Sequence, residues 1–68
     1  IIGILISDVE PKSKAEKSGF QAGDVIIQIE DIEIKNFANV EAALKKYNNK
    51  YKRIYVNRYG QTILFVIQ

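Results

Sequence analysis

Reactive side chains are scarce in this chain. Its 68 residues include no histidine and no cysteine. Without an imidazole, no dyad or triad built on a histidine base can form, so Ser7, Ser13 and Ser18 lack an activating partner within the chain. Without cysteine there is no thiolate nucleophile, no disulfide and no zinc site of the usual Cys/His kinds. Asp24 follows Gly23 and Glu10 precedes Pro11, and both read as turn residues rather than as acids in chemistry. Gly3, Gly19, Gly23 and Gly60 do not have phosphate-loop spacing. The expectation is a chain with no catalytic residue, no metal site and no cofactor.

One stretch could bind through charge. Every acidic residue lies at or before Glu41, whereas Lys45, Lys46, Lys50, Lys52, Arg53 and Arg58 follow it with no acid between them. Tyr47 and Tyr51 are interleaved with the first five of these cations, a mixture that can hold single-stranded nucleic acid. The simpler reading is a helix end and a polar loop leading into a strand. The formal net charge is only +2, and the run carries no nucleic-acid motif. No nucleic-acid partner is expected.

The elements that position these groups follow from periodicity and punctuation. Ser13 and Glu16 have capping-box spacing, Gly19 fits the left-handed stop of a short helix over Ser13 to Ser18, and Phe20 can pack back on it near Ala15. Gly23-Asp24 is a turn pair before Val25, Ile26, Ile27 and Ile29, whose β-branching suits a covered strand ending at Glu30. Upstream, Ile4 to Val9 is apolar on both faces and reads as a central strand. Glu30-Asp31 is a turn expected to be somewhat strained, and Glu33 to Lys35 a short strand. Asn36 is the expected N-cap of a second helix. Phe37, Val40, Leu44 and Tyr47 repeat at steps of three and four along it, and Asn48-Asn49 ends it. Arg53 to Arg58, a Tyr59-Gly60 hairpin turn and Thr62 to Ile67 complete the chain, the last strand apolar on both faces and therefore expected to be covered. No apolar run approaches the ~20 residues of a membrane span. The count gives one α+β domain over residues 1–68: a small antiparallel sheet or partly open barrel with two helices.

The order of these blocks resembles the PDZ domain family. The best-marked match is Ala15, Gly19, Phe20, Gly23, Asp24, Val25 and Ile26, with Phe20 where Leu or Ile is more usual. Gly3 to Val9 resembles the strand before the short helix. Glu30-Asp31 stands where the family prefers Asn-Gly, Asn36 to Val40 resembles the start of the longer helix, and Asn57 to Gly60 the final hairpin. Together with the Lys35-Asn36-Phe37 junction and the closing run Leu64 to Gln68, the pattern is most similar to the second, C-terminal PDZ domain of HtrA-type bacterial serine proteases.

The resemblance implies a non-catalytic protein-interaction module. It would serve assembly or regulation of a periplasmic or cell-envelope serine endopeptidase and chaperone, in a parent chain longer than this one. PDZ domains add a partner's extended C-terminus to a sheet edge beside the longer helix. The positions this carries over are Phe37, Val40, Glu41, Leu44 and Lys45. Read without the family, Phe37, Val40 and Leu44 are an ordinary core-facing stripe. The family's Gly-Leu-Gly-Phe-like carboxylate loop and its groove strand precede the strand matching Gly3 to Val9. Only Ile1 and Ile2 stand there, so both are expected to be missing. The open edge is then expected to be filled by Ile1-Ile2 folding back, by a second copy of the chain, or by another domain or subunit of the parent protease. A PDZ module of another envelope protease is the alternative, and a small nucleic-acid-binding protein the more distant one.

Overall fold

The computed structural model describes residues 2–68. Strand β1 (Ile4–Leu5), helix α1 (Lys14–Ser18), strands β2 (Val25–Ile29) and β3 (Ile32–Glu33), helix α2 (Phe37–Lys46) and strands β4 (Lys52–Arg58) and β5 (Gln61–Ile67) follow one another. All strand pairings are antiparallel, in the order β1-β2-β4-β5, with β3 beside β2. Strand β2 therefore carries β4 on one edge and shares its other edge between β1 and β3. A bulge between Ile26 and Gln28 interrupts its register with β4. The architecture is an open sheet with two helices, an α+β domain.

The short helix is built by its ends. The Ser13 hydroxyl accepts from the Glu16 amide at 3.2 Å. The Glu16 carboxylate reaches back to the Lys12 amide at 3.1 Å rather than to that of Ser13, because the Ser13 N–H already donates to the Glu10 carbonyl. At the other end Gly19 has φ 103°. The Gly19 and Phe20 amides donate to the Glu16 and Ala15 carbonyls, which is a Schellman stop. That geometry turns Phe20 inward, where its ring lies 4.3 Å from that of Phe65.

The sheet supplies the floor of the core. Along β4, Ile54 and Val56 point inward and are buried with Ile29, Ile34, Phe20 and Ala43. Lys52 shares that inward face and is only 4% exposed. The β4–β5 turn places both Tyr59 and Gly60 at positive φ, the pattern of a tight hairpin whose twist matches its strands.

Several sequence expectations change. Ile4 to Val9 is not a central strand: only Ile4–Leu5 is strand, it lies at the sheet's edge, and Leu5 is 61% exposed. Strand β5 is also an edge, and it is covered on one face only: Ile63, Phe65 and Ile67 pack inward, while Leu64 and Val66 alternate with them and face solvent. The third strand is Ile32–Glu33, not Glu33 to Lys35. In the turn before it the left-handed residue is Glu30, at φ 50°.

On α2, Asn36 is the N-cap and forms a reciprocal box with Asn39. The fully buried residue on this helix is Ala43, whereas Phe37 is 64% and Leu44 45% exposed. The small side chain lets the helix backbone approach the sheet. The inward stripe therefore runs through Val40 and Ala43, and Phe37 and Leu44 sit to its side.

Candidate functional site

Beside that stripe is an apolar cavity of about 190 Å³. Helix α2 contributes Val40 and Leu44, the sheet contributes Ile26, Ile29 and Ile54, and Ala15 and Phe20 close it from the short helix. Ile6, just past β1, also lines it. The alternation of the chain explains why. Ile4 and Ile6 turn toward the core, while Leu5 and Ser7 are exposed.

The same alternation orients the backbone of this edge. The Ile6 N–H donates to the Asp24 carbonyl at 2.8 Å, and the Ile6 carbonyl accepts from the Gly23 N–H at 2.7 Å. Both polar groups of Ile6 thus face the β2 side, so those of Leu5 and Ser7 face away. Among the described residues β1 pairs only with β2. The site is therefore an outward-facing row of backbone donors and acceptors next to an apolar hollow. Of the residues expected on sequence grounds, Val40 and Leu44 line the hollow. Phe37, Glu41 and Lys45 are exposed on α2 and do not. Ile6, Ile26, Ile29 and Ile54 were legible only as apolar strand residues.

Ion pairs frame this region. The Arg58 guanidinium grips Asp24 at 2.8 and 2.9 Å and also donates to the Gly19 carbonyl at 3.0 Å. Asp24 is thus more than a turn residue, since it ties the stop of α1 to the end of β4. That guanidinium holds its carboxyl below the usual range despite burial. Glu30 accepts from the Arg53 backbone N–H and guanidinium, and these bonds lower its pKa too. Asp31 accepts from the Tyr47 hydroxyl and the Lys46 ammonium, which lowers its pKa and raises those of Tyr47 and Lys46. The basic run is consequently paired in part. Lys46 and Arg53 meet Asp31 and Glu30, and the buried Lys52 donates to the Lys50 carbonyl at 3.0 Å.

A family model of the PDZ domain matches residues 5–58. This chain belongs to the PDZ domain family. The chain is similar to a probable periplasmic serine protease, do/HhoA-like, of Haemophilus influenzae: 43% identity over 42 residues, covering 62% of this chain and 9% of that protein. It is also similar to the E3 ubiquitin-protein ligase PDZRN3 of Mus musculus and of Homo sapiens, each 46% identical over 50 residues, covering 72% of this chain and 5% of theirs. The chain spans less than a tenth of the length of these relatives. No helix among the described residues is long and apolar enough to cross a membrane.

Proposed function

We propose that this PDZ domain is a non-catalytic docking module that accepts an extended protein segment as an added strand. The observation that carries this reading is the outer edge of β1, unpaired among the described residues, beside the cavity lined by Val40 and Leu44. Main-chain pairing supplies affinity in this mode and side-chain pockets supply selectivity. Val40 and Leu44 are the proposed contacts, with Phe37, Glu41 and Lys45 on the rim. The proposed occupant is an internal segment of the host protein, added along the backbone of that edge rather than held by a free C-terminus.

The proposed host is an HtrA-type serine endopeptidase of the bacterial envelope, in whose assembly or regulation the module acts. The similarity to the Haemophilus protein supports it. The comparable identity to PDZRN3 favours a second reading, a PDZ module in a host that is not a protease. The host's coding sequence separates the two. An upstream His, Asp and Gly-x-Ser-x-Gly constellation supports the first, and its absence overturns it. For the docking mode, a labelled chain is titrated with peptides bearing free or amidated C-termini. The expected result is weak binding indifferent to amidation and lost in Leu44→Lys. Micromolar binding that needs the free carboxylate would overturn the preference for an internal segment.

A further inference from the structure

Helix α2 is one wall of the slot; Val40 and Ala43 pack it on the core at mid-helix, and polar contacts fix its two ends. At its start, Asn36 and Asn39 cap each other, and the Asn39 side-chain oxygen also accepts from the Lys35 amide at 3.0 Å. Strand β3 lies next to the helix. Past Ala43 the helix borders the cavity, with Leu44 on its wall. At its far end the Tyr47 hydroxyl and the Lys46 ammonium both donate to Asp31. The neighbouring carboxylate, Glu30, holds Arg53 through the backbone and the guanidinium. Two adjacent acids of one turn thus fasten both ends of the segment that joins α2 to β4.

We propose that the Glu30-Asp31 turn is a clamp, and that Asp31 is the positioning residue that sets where the last turn of α2 lies and hence the width of the slot at Leu44. The consequence for binding rests on the docking reading above; the clamp itself does not. Asp31 touches nothing in the cavity and acts through Tyr47 and Lys46. These contacts lie at the surface, and exposed pairs add little to global stability. Their effect is local because a helix end beside a hollow has little else to hold it, and such ends open at far lower cost than the core.

The test measures amide hydrogen exchange in the last turn of α2 and the affinity for the hydrophobic dye 1-anilinonaphthalene-8-sulfonate. Asp31→Ala is expected to speed exchange at the Leu44 to Tyr47 amides at least about threefold and to leave β4 and β5 unchanged. The dye's Kd is expected to change by a similar factor. Asp31→Asn, which keeps an acceptor for Tyr47, is expected to fall between Asp31→Ala and the unaltered chain, and Tyr47→Phe to reproduce part of the loosening. Unchanged exchange in the last turn, or an equal rise in β4 and β5, overturns the clamp. If the unaltered chain does not bind the dye, the slot reading fails, and exchange alone then decides the clamp.

Discussion

Asp24 concentrates more of the architecture than any other polar residue. It is 1% exposed, receives the Arg58 fork and accepts from the Gln21 amide at 3.0 Å. Removing its carboxylate leaves a guanidinium and a backbone donor without their acceptor. Asp24→Ala is expected to cost about 2–3 kcal/mol, which in a domain this small lowers the thermal midpoint by roughly 10 °C or more. An unchanged midpoint would contradict the geometry. The pH dependence follows from the lowered pKa. A carboxylate whose folded pKa lies below its unfolded value, about 3.9 for Asp, stabilises the fold above that value. The contribution is lost as pH falls through the folded pKa. Glu30 and Asp31 carry the same sign, through Arg53 and Tyr47 respectively. Stability is therefore expected to decline below about pH 4, less steeply in Asp24→Asn. Equal acid slopes in the two proteins would refute this assignment.

Two glycines act at this scale for different reasons. A Cβ at Gly19 would sit at φ 103° and 3.0 Å from the Phe65 ring, so Gly19→Val is expected to cost about 1 kcal/mol or more. A Cβ at Gly3 would lie 2.4 Å from the Ile26 carbonyl oxygen. That neighbour is backbone and cannot rotate aside, so Gly3→Ala must push the start of β1 off β2. Thermal melts of both variants check this, and a midpoint equal to the parent's in either would show that its close approach is absent.

At the scale of elements, folding offsets part of the charge asymmetry along the chain. The β2–β3 turn brings two acids from the first half against Lys46 and Arg53. The stretch from Lys45 to Arg53 is expected to bind single-stranded oligonucleotide only weakly at ~150 mM salt, where exposed charges are screened. Sub-micromolar, steeply salt-dependent binding in a filter or anisotropy assay would overturn that. The short helix was legible in detail because its signals are local: a serine cap, a glycine stop and an aromatic behind it. The strand extents were not. Apolar residues on both faces of Ile4 to Val9 and Thr62 to Ile67 suggested cover on both sides, yet in each only one face packs on the core and the other is exposed. Periodicity records which residues alternate, while strand order decides which faces meet another layer.

For the whole molecule, the slot is a property of assembly. Its cavity draws on both helices and three strands, and among the described residues β1 pairs only with β2. Purified chain is expected to leave casein intact, since the sequence offers no imidazole or thiol to activate a nucleophile. Turnover that survives Ser7→Ala, Ser13→Ala and Ser18→Ala would contradict this.

The sequence by itself determined the family, the α+β class, the order of the elements and the lack of histidine- or cysteine-based chemistry. These rest on residue type, local caps and short-range spacing. Only the tertiary structure decided that Ala43 rather than Phe37 or Leu44 is the buried contact of α2, that Asp24 pairs with Arg58, and that Asp31 meets Lys46 and Tyr47 while Glu30 meets Arg53. Those contacts join residues far apart in the chain. Their partners are chosen by how closely a helix can approach a sheet and by which strand ends meet, quantities that no local pattern encodes.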